Sequence, residues 1–365
     1  MTSLQCARAF AALLVVYFHA VIQLTKIFPE GTIHFVLFGK CGVDVFFVIS
    51  GLIMWLSTMQ KDQSSIEFYK RRLARIAPLY WVVTLVAAAT AFCVPALLNS
   101  TRFELDHVIA SLLFIPWPNP ASRNGYDVMT PVIVPGWTLN FEMMFYALFG
   151  LGLFGRHQTR LVRLAMTFAA FILLVSLART KSPILDFYDP HLFGEFLLGI
   201  AIGVLIEKGW KSPPFALAIL AGAALLLLAL DTVSSDWSRF YVAGIPAAIG
   251  VYCLTTLDRE GRWPELPYVI LLGNASYSIY LVHIFVLTAL RIIWPSPALE
   301  PVFLLGPGAF VFAALVMSCL IGLLTYQFVE RPLCRAAARL LGLQRHAGTA
   351  EGRSPERFLR RRRAA

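Results

Sequence analysis

Four ionisable side chains stand in stretches of this chain that are otherwise apolar: His19, Asp44, Glu142 and His283. An ionisable group inside a membrane-spanning stretch is costly to bury and is tied to function by default. The chemistry open to such a set is acid–base, because an imidazole titrates near neutrality and can hold or pass a proton. Each residue also has a plainer role available. A carboxylate in a first helical turn is favoured by the helix dipole, which suits Glu142. Asp44 can cap a helix or partner a buried cation, and His283 can bond a neighbouring hydroxyl between helices. His19 resists such a role most, since its surroundings are almost wholly apolar and it needs a buried partner. A second constellation is cationic. Arg72 and Arg75 share a helical face by i, i+3 spacing, with Arg71 beside them and Arg8 entering from the same side. A guanidinium fork binds phosphate bidentately, although arginines at an inner membrane edge also set topology.

The elements that must position these groups follow from composition. The 365 residues are 58% hydrophobic and 14% charged, with a mean hydropathy of +0.70, against roughly 45–50% and 25% in soluble domains. That surplus fits only a bilayer. Ten apolar stretches are long enough to cross: 4–24, 41–59, 76–98, 137–154, 161–178, 191–208, 214–231, 240–257, 270–293 and 303–328. The sequence thus predicts an all-α polytopic membrane protein with about ten transmembrane helices. With the amino terminus in the cytoplasm, twenty-three of the 31 Lys and Arg residues fall on the cytoplasmic side. A shift of one span reverses most of that asymmetry, so both termini are expected to be cytoplasmic. On this topology the four ionisable residues share a depth band in the outer half of the bilayer. His19, for example, lies about 16 Å further out than Arg8 at 1.5 Å per residue.

Other classes fit poorly. Six scattered cysteines form neither a disulfide framework nor a zinc ribbon, and no ligand spacing indicates a metal. The net charge of +10 has no aromatic platform or soluble module beside it, so nucleic acid is not an expected partner. The first apolar stretch lacks the basic start and cleavage site of a signal peptide and reads as a retained helix. The loop 99–136 holds a short apolar segment, Val108 to Trp117, suited to a re-entrant or interfacial position. Residues 335–365 read as a disordered basic tail whose run Arg360 to Arg363 is attracted to anionic lipid headgroups.

In order along residues 1 to about 334, the chain carries Arg8 with His19 after ten residues; Gly42-Val43-Asp44-Val45-Phe46-Phe47-Val48-Ile49-Ser50-Gly51; Arg71-Arg72-x-x-Arg75-Ile76-x-Pro78; Pro135-Gly136-Trp137-Thr138-Leu139-x-x-Glu142; Ser276-Tyr277-Ser278-Ile279-Tyr280-Leu281-Val282-His283; and Phe328-Val329-Glu330-Arg331-Pro332. This ordered set resembles the acyltransferase 3 family of integral membrane acyltransferases. Leu4-Gln5-x-x-Arg8-Ala9 and the Trp137 segment are most similar to its exopolysaccharide acetyltransferase branch. The resemblance implies a membrane domain over 1–334 in a cell inner membrane. It also implies transfer of an acetyl or other short acyl group from cytoplasmic acyl-CoA to a hydroxyl of an exopolysaccharide or lipid-linked glycan.

On that resemblance, Arg8, Arg71, Arg72 and Arg75 meet the phosphates of acyl-CoA, a donor substrate rather than a resident cofactor. His19 serves as general base or as nucleophile, with Asp44 or Glu142 orienting it; the sequence chooses in neither case. Trp137, Tyr277, Ser278 and His283 contact the acceptor or the oxyanion. Ser50-Gly51 allows close helix packing, and acceptor choice is expected in the external loops. The rival reading is a transporter or flippase of an anionic or glycan substrate without acyl chemistry, since buried ionisable groups and a basic mouth also suit that task. The sequence is silent on the acceptor sugar and on oligomeric state.

Overall fold

The computed structural model describes residues 1–28, 37–58, 64–97, 101–122, 128–155, 157–178, 182–210, 212–229, 239–295 and 306–343. Its long helices are α1 (Thr2–Leu24), α2 (Cys41–Thr58) and α3 (Ser65–Cys93), followed by the short α4 (Leu105–Leu112) and by α5 (Trp137–Gly152). Then come α6 (Arg160–Ala178), the short α7 (Pro183–Phe187), α8 (Pro190–Glu207) and α9 (Pro214–Ala229). The chain continues through α10 (Phe240–Arg259), α11 (Pro267–Asn274), α12 (Ser276–Ile293) and α13 (Pro307–Leu340). Among the described residues there is no strand, only an isolated bridge between Pro118 and Met129.

Eight of these helices (α1, α2, α3, α6, α8, α10, α12 and α13) are long and apolar enough to cross a membrane. The expected stretches 137–154 and 214–231 hold α5 and α9. At 16 residues each, α5 and α9 reach about 24 Å, short of a ~30 Å hydrocarbon core.

Boundaries depart from the expected stretches for local reasons. The third stretch was expected to begin at 76, but α3 starts at Ser65. Ser64 accepts a hydrogen bond from the backbone N–H of Glu67 at 3.1 Å, capping the helix ahead of the arginines. The ninth stretch divides at Ala275, after the weak helix formers Gly273 and Asn274, into α11 and α12. The last span runs on through Leu340, so residues 335–340, expected to be disordered, are helical. The sulfur of Cys334 lies 3.5 Å from the carbonyl of Arg75, which ties that extension to α3. The run Arg360 to Arg363 and the loop cations Lys61, Arg156 and Lys211 lie outside the described residues.

Two devices fix the helices around the site. A β-carbon at Gly51 would stand 2.0 Å from the carbonyl oxygen of Phe196, and one at Gly199 2.1 Å from that of Val48. Glycine alone lets α2 and α8 approach this closely, as small residues do between membrane helices. Stacked rings then lock α5 onto the pair: Phe145 lies 4.1 Å from Phe196, and Phe47 4.6 Å from the same ring. Asp44 and Glu142 sit about one turn before Phe47 and Phe145, and Glu195 immediately precedes Phe196.

Candidate active site

A cavity of about 160 Å³ runs between α1, α2, α3, α5 and α12. Its lining on α2 extends from Val43 to Met54, about 16 Å along the helix axis, so the space is a slot rather than a sphere. Arg8, Arg72 and Arg75 line one end, Glu142, Ser50 and Tyr146 the middle, and Phe46, Thr138 and Tyr280 the other.

Each cation is held differently. Arg75 forms an ion pair with the fully buried Glu330, whose other oxygen accepts from the Ser278 hydroxyl. A π-helical turn at Tyr326–Glu330 delivers that carboxylate, and such turns often mark functional positions. Tyr277 lies beneath Arg75, 5.7 Å from ring centroid to guanidinium, and donates to the carbonyl of Ile76 at 2.7 Å. The turn of α3 it grips immediately precedes Pro78, a residue that lacks an N–H for the helical ladder. Arg72 stacks over Phe68 and Tyr146 at 5.7 and 5.9 Å, and its Nε has no hydrogen-bond partner among the described residues. Arg71 points away from the slot and pairs with Glu67 on the exposed face of α3. The four arginines grouped by sequence therefore divide, three in the cavity and one outside it.

The slot's middle is acidic. Glu142 accepts from Ser50 at 3.1 Å and from the Tyr146 hydroxyl. In the pair Ser50-Gly51 the serine serves the cavity and the glycine serves packing.

Behind Tyr280, whose ring lies 6.0 Å from that of His283, stands a histidine pair. The geometry fixes its tautomers. His283 Nδ1 lies 2.6 Å from the carbonyl of Tyr280; a carbonyl only accepts, so Nδ1 carries the proton and Nε2 the lone pair. That Nε2 lies 3.2 Å from His19 Nδ1, which must then be the donor, and which also lies 3.0 Å from the carbonyl of Val15. Two neutral rings so arranged leave the lone pair of His19 on Nε2, which makes no hydrogen bond among the described residues. The assembled unit can take a proton at Nε2 while His283 and Val15 accept from the resulting imidazolium.

The four residues of the shared depth band thus separate. His19 and His283 meet, Glu142 lines the slot, and Asp44 is buried in a bidentate pair with Arg239 at 3.2 Å to each oxygen. Neither carboxylate touches His19; a second imidazole occupies the place expected for one. Trp137 lines a separate cavity with Asp189, His191, Glu195 and Arg239. Sequence reasoning passed over Glu195 and gave Glu330, quoted within the Phe328–Pro332 motif, no role of its own, although both are carboxylates in apolar helices, the signal that singled out His19. Nothing in the sequence marks Arg239 as the partner of Asp44.

Eight helices long and apolar enough to cross a bilayer, packed around a slot with arginines at one end and a hydrogen-bonded imidazole pair behind the other, mark a multi-pass membrane protein with a polar interior site. The chain belongs to the acyltransferase 3 family, whose model, described as an acyltransferase domain, matches residues 1–327, and it is an acyltransferase. It is 36% identical over 317 residues to the exopolysaccharide production protein ExoZ of Rhizobium meliloti, covering 84% of this chain and 93% of that protein. It is also 28% identical over 393 residues to the acyltransferase MdmB of Streptomyces mycarofaciens, covering 96% and 95%. No solved structure matches it. Family membership sets aside the transporter reading.

Proposed function

We propose that the protein is an O-acetyltransferase of the inner membrane that moves an acetyl or other short acyl group from cytoplasmic acyl-CoA to a hydroxyl of an exopolysaccharide. The observation that carries this reading is the slot itself, cationic at one end and bounded at the other by the ring that backs onto His19 and His283. The likeness to a protein named for exopolysaccharide production supports the acceptor class. The amino-terminal ends of α1 and α3, with Arg8, Arg72 and Arg75, face the cytoplasm. There the guanidinium forks meet the phosphates of CoA, and the slim pantetheine arm lies along the slot. The membrane domain spans 1–334, both termini lie in the cytoplasm, and α5 and α9 complete ten crossings.

In the reaction, His19 Nε2 takes the proton of the acceptor hydroxyl as its oxygen attacks the thioester carbon. The tetrahedral intermediate collapses with cleavage of the carbon–sulfur bond. The CoA thiolate leaves and recovers the proton from the imidazolium, so one ester and one thiol form from one alcohol and one thioester. His283 keeps the His19 ring in the tautomer that presents Nε2 and accepts from the imidazolium, the part a carboxylate plays in a triad.

The test is transfer of labelled acetyl from acetyl-CoA into extracted polysaccharide by membranes carrying the wild type or His19→Ala at matched expression. Incorporation by the wild type alone is the expected result. A folded His19→Ala protein with full activity removes His19 from the mechanism. Absence of both label transfer and CoA release with acetyl-, propionyl- and butyryl-CoA sinks the donor assignment.

A further inference from the structure

The slot closes, at the end away from its arginines, on two aromatic rings. Phe46 of α2 meets Tyr280 of α12 edge to face, with centroids 5.9 Å apart and planes at 72°, and both rings line the space. His19 and His283 do not line it. Tyr280 stands between the slot and His283, ring to ring at 6.0 Å. Phe46 packs against the cluster formed by Ala12 and Val16 of α1 with Ala275 and Ile279. Ala12 and Val16 fall between Arg8 and His19 on the same helix, so Phe46 covers the stretch of α1 that leads from the cationic end to the histidine. The two rings together form the partition between the slot and the histidine pair.

That partition is rigid. The Tyr280 hydroxyl is held between the Pro135 carbonyl and the Thr138 hydroxyl, 2.7 Å from each. Phe46 has no such anchor, and its place is set by the helix beneath it. A β-carbon at Gly42, one turn before Phe46, would stand 2.4 Å from the carbonyl oxygen of Ala11, so α2 touches α1 at that level. Gly51 holds the same helix against α8. Clamped on both sides, α2 cannot draw back to enlarge the slot. Interiors packed this closely resist the insertion of even one methylene.

With the phosphates of CoA at Arg8, Arg72 and Arg75, the acyl group at the other end of the pantetheine arm arrives at the two rings. Val43 and Leu139 add apolar walls beside them. The thioester carbonyl stops against the partition that backs onto the histidines, and any carbon beyond the acetyl methyl needs space that ring atoms already fill. We infer that Phe46 is the specificity-determining residue for the acyl group, its ring admitting acetyl and excluding butyryl and longer chains. The inference deepens the donor reading and rests on it.

The experiment measures kcat/KM for acetyl-, propionyl- and butyryl-CoA with the full chain in lipid nanodiscs, following release of the CoA thiol and incorporation of label into extracted polysaccharide. One methylene in a hydrophobic pocket discriminates by about 10- to 200-fold. The wild type should therefore use acetyl-CoA at least about tenfold better than butyryl-CoA, with propionyl-CoA between them. Phe46→Ala removes the ring and should raise the butyryl-to-acetyl ratio by at least about tenfold; Phe46→Leu should raise it less, and it carries the same test if the alanine variant fails to fold. Free CoA has the phosphates and the arm but no acyl group, so its inhibition constant should stay the same in every variant, whereas a general loosening of the bundle would move it. A wild type that uses butyryl-CoA as well as acetyl-CoA, or a ratio unchanged in the folded Phe46 variants, overturns the inference while leaving the donor reading intact. Consumption of none of the three by the wild type is the separate result that sinks the donor reading, and the role of Phe46 falls with it.

Discussion

Adjacent arginines on α3 give the sharpest test of the donor site, because sequence treats Arg71 and Arg72 alike and the structure does not. Arg71 pairs with Glu67 one turn away, with 40% of its side chain exposed. An exposed i, i+4 pair is worth about 0.3–0.5 kcal/mol, so Arg71→Gln should leave stability and donor use nearly unchanged. Arg72 lines the slot, flanked by Phe68 and Tyr146. A hydrogen bond from a charged donor contributes about 1.5–3 kcal/mol. If that bond goes to a phosphate of acyl-CoA, its loss raises KM for the donor by about 10- to 150-fold, at 1.4 kcal/mol per factor of ten. Arg72→Lys keeps the charge but not the fork, and should fall between wild type and Arg72→Gln. The loss of stacking on two rings costs about 0.5–2 kcal/mol of stability, which a thermal melt in detergent monitors separately. The assay is acetyl transfer in membrane vesicles against acetyl-CoA concentration, at matched folded protein. Equal rises in KM for the Arg71 and Arg72 variants, or an unchanged KM for Arg72→Gln, would refute the assignment of the slot to the donor.

The histidine pair predicts a graded series. His283→Asn, which can still accept from His19 Nδ1, should retain more kcat than His283→Ala, with donor KM unmoved in both; removal of general-base function costs roughly 10²–10⁴-fold, so an unaltered kcat in a folded His283→Ala protein is incompatible with the pair. Glu330→Ala leaves the partly exposed Arg75 and the Ser278 hydroxyl without their buried acceptor and should destabilise the protein by about 1.5–3 kcal/mol, read as a fall in Tm; an unchanged Tm would mean the ion pair is not maintained. Gly51→Ala must push the Phe196 backbone away and should cost about 1–3 kcal/mol by overpacking, measurable in the same melt, and a neutral result would contradict the close contact of α2 and α8. His107, on α4 outside the long helices, donates from Nε2 to the Thr130 carbonyl, while burial holds its imidazole below the usual value of 6.5. The unfolded chain therefore binds the extra proton first. The stability that neutral His107 provides is full above pH ~6.5 and declines as pH falls below it, so His107→Gln should flatten the acid side of the Tm profile; an identical slope would discount the residue.

Much of this arrangement was legible in the chain because its signals are one-dimensional. An apolar run of 18 or more residues announces a helix whatever surrounds it, and each of the ten stretches read from the sequence coincides with helix over most of its described residues. Arg8 and His19 lie on one helix, so their separation along it follows from rise alone. Within the motif Gly42 to Gly51, Gly51 reads as a packing residue, and it is the glycine that brings α2 against α8. Helix ends were less readable, since the arginine-rich start of α3 looks like a loop until Ser64 is seen to cap it.

The contacts between helices were the part that periodicity does not encode. A shared depth band put His19, Asp44, Glu142 and His283 at similar heights, but height leaves rotation free, and rotation decides partners. The ring of His19 turns toward α12 and meets His283; Glu142 turns toward Ser50 and Tyr146; Asp44 turns away from the slot toward Arg239. The same reasoning explains why a carboxylate was expected beside His19 and an imidazole found. A membrane interior disfavours another full charge, and a neutral imidazole with its own proton fixed on a backbone carbonyl orients its partner without one. Charge is instead kept where it is compensated, at Arg75 with Glu330 and at Asp44 with Arg239.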